Sequence, residues 1–255
     1  MSLRHITFFT IFSLFLLGCT RTDTSDGQID PPKPQIKNTV FLTGDSTCAP
    51  YSDSDRPKYG WGEKFGEYVQ GCKVENKAVG GKSTKTFISG GQWAKLLKSV
   101  GKGDVVLIQF GHNDENTTAS DNRGTTPEEY YNNLCKMITD VQSKSATAVI
   151  LTPICRLSYT DGIPNHTHKT YPEYAKKAAA DHSVILLDIE QSTYEWLGRL
   201  GEEAARLRFM ISVEGSNDTT HLTEMGAIEI AEIVANAMKN CNNPKLADLV
   251  KHKTY

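Results

Sequence analysis

Four short segments of the 255-residue chain carry residue types suited to acyl transfer. The first is Asn217-Asp218-Thr219-Thr220-His221-Leu222. An aspartate and a histidine three apart come side by side in a turn. The carboxylate can then fix the imidazole tautomer and stabilise its cation, while the other ring nitrogen takes a proton from a hydroxyl. Such a hydroxyl stands in Gly44-Asp45-Ser46-Thr47. Serine is a weak nucleophile until a base removes its proton, and the tetrahedral intermediate then needs fixed donors for its new oxyanion. Donors are on offer in Asn76-Lys77-Ala78-Val79-Gly80-Gly81-Lys82-Ser83 and in Gly111-His112-Asn113-Asp114. Adjacent glycines let the backbone approach a ligand and expose N–H groups. Each segment also has a plain structural reading. Gly-Asp-Ser is a turn with a helix cap, and the glycines make a βα turn. Asn113 and Asp114 bond their own backbone, and Asp218 or Thr220 caps a helix.

The elements around these segments favour the chemical reading. Five apolar, β-branched runs read as strands: Thr39–Thr43, Lys73–Ala78, Asp104–Phe110, Ala146–Thr152 and Val184–Asp188. Helical patterns separate them at Trp61–Gln70, Gln92–Val100, Pro127–Ser143, Tyr171–His182, Gln191–Arg208 and Thr223–Asn240. Thr126-Pro127-Glu128-Glu129 supplies a cap, an N1 proline and acids in the first turn. Alternation of this kind predicts βαβ units and an α/β domain with a parallel sheet covered on both faces. Ligands bind such sheets beyond the carboxyl ends of the strands. Three of the four segments directly follow a predicted strand.

Taken together and in this order, the segments resemble the SGNH, or GDSL, esterase superfamily. Its blocks match Gly44-Asp45-Ser46, Gly81, Gly111-His112-Asn113-Asp114 and Asp218-x-x-His221. The details are most similar to the rhamnogalacturonan acetylesterase branch: Gly44–Thr47, Asn76–Phe87, Phe110–Asp114, and Asp218–Leu222 followed by Gly226-Ala227. The resemblance spans roughly Thr39 to Ala237. It implies a three-layer, flavodoxin-like SGNH hydrolase fold with a five-stranded parallel sheet. Ser46 is then the nucleophile, His221 the general base and Asp218 its orienting partner. The backbone N–H groups of Ser46 and Gly81 and the side-chain amide of Asn113 form the oxyanion hole. No metal or organic cofactor is required. The implied substrate is an acetylated plant polysaccharide, rhamnogalacturonan-type pectin first. An acetylxylan or oligosaccharide acetylesterase of the same fold is the alternative. A surface glycan-binding lipoprotein without catalysis is a third reading, which the intact Ser46, Asp218 and His221 oppose. A histidine base works only when neutral, so activity is expected to fall at acidic pH.

Other residues invite weaker assignments. Cys48, two residues past Ser46, raises a rival Cys–His mechanism, but Ser46 holds the matching position. Arg156 reads as a structural ion pair before a ligand for a sugar carboxylate. His166 and His168 read as part of a solvated loop, and His182 as the end of a helix. Tyr51, Tyr59, Trp61, Tyr159 and Tyr171 read as core before sugar platforms. The Gly-x-Ser-x-Gly elbow and the phosphate-loop spacing are both missing from the sequence.

The formal charge of −2 argues against a nucleic-acid partner. A mean hydropathy of −0.40 excludes a polytopic membrane protein. Residues 1–18 have a basic start and a short apolar run that exits at Leu16-Leu17-Gly18-Cys19. This reads as a secretory signal. It resembles a bacterial lipobox, with Cys19 lipidated and the chain exported and held at a membrane, periplasmic or on the cell surface. Residues 19–37, with Pro31-Pro32-Lys33-Pro34, read as a polar tether. The esterase domain then runs over 38–255. Cys48, Cys72, Cys135, Cys155 and Cys241 remain, so at least one is unpaired. Most are expected to be small buried residues.

Overall fold

The computed structural model describes residues 38–251. The expected signal, Cys19 lipidation and tether fall on residues 1–37, outside the described residues. β1 (Asn38–Gly44), β2 (Cys72–Asn76), β3 (Val105–Gln109) and β4 (Thr147–Leu151) begin the sheet. β5 (Tyr159–Thr160) and β6 (Ile163–Pro164) form a separate small hairpin, and β7 (Ile185–Leu187) completes the main sheet. The spatial order is β2-β1-β3-β4-β7, and every neighbouring pair is parallel. This is the flavodoxin-like order, whose strand sequence reverses between β1 and β3.

Both sheet faces are buried, as the continuous apolar runs require. Val40, Leu42, Leu107 and Leu151 point to one side. They pack on α1 (Trp61–Lys64), α6 (Ile189–Leu200) and α8 (Glu224–Asn240), through residues such as Trp61, Leu197 and Val234. Phe41, Val106, Ile108 and Ile150 point to the other. There they meet α2 (Thr84–Ser89), α3 (Gln92–Leu97), α4 (Pro127–Ser143) and α5 (Tyr171–Asp181), through Phe87, Trp93, Leu134 and Ala175. α7 (Glu202–Arg206) and α9 (Pro244–Ala247) are short peripheral turns.

The five strands and the helix at Pro127–Ser143 lie where the pattern places them, and Thr126 and Glu129 close a reciprocal capping box. Three helices differ from expectation. The pattern over Trp61–Gln70 keeps only one α-turn and a short 3₁₀ turn, because Val69 and Gln70 are captured by Val250 and Leu249 in an antiparallel bridge. The run Gln191–Arg208 starts earlier, where the Asp188 carboxylate caps the Gln191 N–H, and breaks at Gly201. Gly201 has φ +72°, a backbone state that no α-helix contains. The loop after Gly81 holds the unforeseen α2, which Ser83 caps by accepting from the Thr86 N–H.

Candidate active site

Ser46 follows β1 and the segment His112–Asp114 follows β3, so both sit at the reversal of strand order. Gly44 ends β1 against its neighbour: a Cβ there would lie 2.5 Å from the Gln109 carbonyl. The chain then turns through Asp45–Ala49, with the Cys48 and Ala49 N–H groups donating to Asp45 O. This is an isolated turn, with no helix directly behind it, so the reading of Gly-Asp-Ser as a helix cap does not hold. Ser46 is 9% exposed. The Tyr51 hydroxyl donates to its carbonyl at 2.9 Å.

His221 reaches this turn from 175 residues further along the chain. Asp218 Oδ1 accepts the N–H groups of Thr220 and His221, both at 2.9 Å, which closes the turn that aligns the pair. His221 Nδ1 donates to Asp218 Oδ2 at 2.6 Å. Nε2 is left with its lone pair, and Ser46 Oγ lies 2.9 Å away. Partial burial opposes ionisation of Asp218. The two backbone donors and the imidazole outweigh it and hold the carboxyl below its ordinary range. A bridge between Leu222 and both Tyr59 and Phe209 fixes the segment. The structure thus brings the three sequence-predicted residues into one hydrogen-bonded chain.

The loop after β2 lies beside Ser46: a Cβ on Gly80 would sit 3.8 Å from the Ser46 Cβ. Gly81 has φ +74°, which favours glycine. Among the described residues, the N–H groups of Ser46 and Gly81 donate to no protein acceptor. Asn113 Nδ2 donates across to the Lys82 carbonyl at 3.1 Å. Its side chain bonds another loop, not its own backbone, so the local-turn reading of Asn113 does not hold. Asp114 behaves alike. Its buried carboxylate accepts from the Thr84 N–H at 3.1 Å and from Thr125 Oγ1 at 3.2 Å. Burial drives its pKa up to about 7, against donors that favour the anion.

One pair escaped the sequence reading. Asp45 is fully buried and accepts from the Thr47 N–H and hydroxyl through Oδ1, at 2.9 and 2.8 Å. Its Oδ2 meets His112 Nδ1 at 3.1 Å. The bond ties the Ser46 turn to the loop carrying Asn113. The available signal was that both residues follow paired strands, Gly44 lying opposite Gln109. Burial, with smaller contributions from His168 and Arg156, pushes the His112 pKa down to about 4 despite Asp45. His112 Nε2 is buried and unpartnered. Protonation would place an unbonded N–H there, which explains the direction.

A stability prediction follows from this burial. A folded pKa below the unfolded value contributes stability that is present above about pH 6.5 and lost as pH falls through about 4. The shift amounts to on the order of 3 kcal/mol. Denaturant melts at pH 7 and pH 4 are expected to show a smaller acid loss in His112→Asn than in the wild type. Equal losses would mean that His112 does not titrate in this way.

The weaker assignments now resolve. Cys48 is fully buried, and burial, aided by Asp45, holds its thiol well above the ordinary range. It lies in the core, not facing the relay. Cys48, Cys72, Cys135, Cys155 and Cys241 are all free, but only Cys48 and Cys155 are buried. The expectation that most are buried is corrected: Cys72, Cys135 and Cys241 lie at the edges of packed elements. Arg156 pairs with Glu115 and donates to Thr220 Oγ1 at 3.1 Å, so it is a structural strap beside His221. His168 is fully buried, with Nε2 donating to the Ile154 carbonyl at 2.6 Å, which corrects the solvated-loop reading. His166 is exposed, as a solvated loop requires, bonded to Glu190 and stacked on Tyr194. Among the described residues, no cluster of three or more His, Cys, Asp and Glu could hold a metal. Trp61 and Tyr171 are core, while Tyr51, Tyr59 and Tyr159 are half-buried. His182 ends α5.

Comparison with known proteins agrees with this geometry. The profile of the GDSL-like lipase/acylhydrolase family matches residues 42–227. A probable rhamnogalacturonan acetylesterase of Bacillus subtilis is 34% identical over 86% of this chain and 100% of its own length. A rhamnogalacturonan acetylesterase of the same organism is 33% identical over 84% of this chain and 95% of its own. The crystal structure of the Bacillus subtilis protein YxiM superposes with a TM-score of 0.72 at 25% identity. That match covers 81% of this chain and 57% of the other.

Proposed function

The chain belongs to the GDSL-like lipase/acylhydrolase family and is a carboxylic ester hydrolase, and we propose that it deacetylates a plant cell-wall polysaccharide, rhamnogalacturonan-type pectin. The observation that carries the chemistry is the unbroken relay from Asp218 through His221 to Ser46, with contacts of 2.6 and 2.9 Å. Support for the substrate comes from the two Bacillus subtilis relatives.

In this mechanism Ser46 Oγ attacks the acetyl carbonyl while His221 Nε2 takes its proton. The oxyanion is met by the N–H groups of Ser46 and Gly81 and by the Asn113 amide. As the intermediate collapses and the ester C–O bond breaks, His221 gives the proton to the leaving sugar oxygen. Water then attacks the acetyl-serine as His221 takes its proton; the Ser46 Oγ–acetyl bond breaks, acetate leaves and His221 returns the proton to Oγ. Asp218 remains an anion throughout, holding the imidazole and stabilising its cation.

The test is acetate release from acetylated rhamnogalacturonan, acetylated xylan and a chromogenic acetyl ester, with Ser46→Ala as control. Fastest release from rhamnogalacturonan is expected. Release from xylan alone would move the assignment to an acetylxylan esterase, and none from any ester would favour a glycan-binding role.

We also propose that Cys19 carries a lipid that anchors the exported protein to a membrane. The support is the Leu16-Leu17-Gly18-Cys19 exit after a short apolar run. Metabolic palmitate labelling lost in Cys19→Ser is expected, and labelling that survives it would overturn the anchor.

A further inference from the structure

We propose that Arg123 is a positioning residue for the Asn113 amide, setting which end of that amide faces the nucleophile. The proposal rests on the reading of Asn113 as an oxyanion donor. Arg123 lies in the loop between β3 and α4. Its Nη1 donates to Asn113 Oδ1 at 3.3 Å and approaches the Gly81 carbonyl at 3.5 Å. One guanidinium nitrogen therefore touches both loops that supply the oxyanion donors. A Cβ placed on Gly81 would sit 3.4 Å from the same nitrogen, so the contact is close.

The orientation follows from donor and acceptor types. A guanidinium carries only donors, and a backbone carbonyl only accepts. Arg123 selects the oxygen end of Asn113, and the Lys82 carbonyl selects the nitrogen end at 3.1 Å. Both partners enforce the same orientation. Asn113 has two N–H donors, and among the described residues only Lys82 takes one. The other is left for the oxyanion. In the flipped amide the NH₂ group would face the guanidinium, and Oδ1 would face the Lys82 carbonyl. The reacting oxygen would then lose its side-chain donor.

A different use for an arginine at a polysaccharide site is to bind a substrate carboxylate. Here the fork is already occupied. Nε donates to Asp121 Oδ1 at 2.8 Å and Nη2 pairs with Asp121 Oδ2 at 2.6 Å, while Nη1 serves the two site oxygens. Asp121 holds the guanidinium edge-on, with Nη1 directed at Asn113. That arrangement orients the amide and leaves no free pair of donors for a carboxylate.

The test is a double-mutant cycle with a small neutral acetyl ester, measuring kcat, KM and melting temperature for Arg123→Met, Asn113→Ala and the double variant. Arg123→Met is expected to lower kcat about tenfold with KM nearly unchanged, and to add no further loss in the Asn113→Ala background. Arg123→Lys keeps the charge but not the fork. It is expected to lose several-fold in kcat, again only when Asn113 is present, and it serves if Arg123→Met folds poorly. A wild-type kcat in both Arg123 variants would overturn the proposal. So would an equal Arg123 effect with and without Asn113. With acetylated rhamnogalacturonan assayed in parallel, a rise in KM on that polymer that the neutral ester does not show would make Arg123 a carboxylate-binding residue instead. If Asn113→Ala itself turns over normally while Ser46→Ala is dead, the oxyanion reading fails and takes the proposal with it. That result differs from a slow Asn113→Ala beside a fast Arg123→Met, which removes Arg123 alone.

Discussion

Ester turnover is expected to fall by on the order of 10⁶ in Ser46→Ala and equally in His221→Ala, with the double variant no worse than either. Equal losses arise because nucleophile and base act as one unit: the hydroxyl attacks only as its proton leaves for Nε2, 2.9 Å away. Asp218→Asn is expected to cost about 10⁴, because an amide in place of Oδ2 favours the wrong imidazole tautomer while the base itself remains. Cys48→Ala should keep most activity, since its thiol is buried in the core. A serine-directed organophosphate should label the peptide containing Ser46. Single-turnover kinetics on folded protein checks the series. A near-normal rate in His221→Ala, or an inactive but folded Cys48→Ala beside an active Ser46→Ala, would require another mechanism.

Asn113→Ala is expected to lower kcat by on the order of 10²–10³, or roughly 3–4 kcal/mol of transition-state stabilisation. KM should change little, because the oxyanion exists only along the reaction path. Asn113→Asp should be at least as slow. A carboxylate would repel the developing charge, and beside Arg123 it would form an ion pair in place of the present amide contact. The variant also loses the bond from Nδ2 to the Lys82 carbonyl, so some stability is lost as well. Measuring acylation rate and melting temperature on the same sample separates the two losses. A destabilised protein with normal acylation would leave Asn113 as a loop tie only.

Much of this arrangement could be read along the chain because its signals are local. The continuous apolar runs of β1, β3 and β4 fit strands covered on both faces, and strands separated by helices fit parallel crossovers. Asp218 and His221 sit three residues apart, so one turn aligns them without outside help. Ser46, Gly81 and Asn113 follow strand ends, where a parallel sheet places its ligand. Helix limits were less legible. Gly201 and the Val69–Val250 bridge end helical patterns that periodicity alone would have continued.

The supporting contacts depend instead on strand order, which no local pattern encodes. Asp45 and His112 lie 67 residues apart and meet only because β1 and β3 are neighbours in the sheet. Burial then decides the histidine's protonation: in a solvated turn His112 would titrate in the ordinary range, whereas here an added proton has no second acceptor. His168 is a similar case. Its surroundings, Gly162-Ile163-Pro164-Asn165-His166-Thr167, are those of a surface loop, yet it packs against His112 and donates to the Ile154 carbonyl. Residue type and spacing therefore specify the groups that react. Close packing of distant loops specifies which of their donors remain free, because a buried polar group must find a partner wherever the fold brings one.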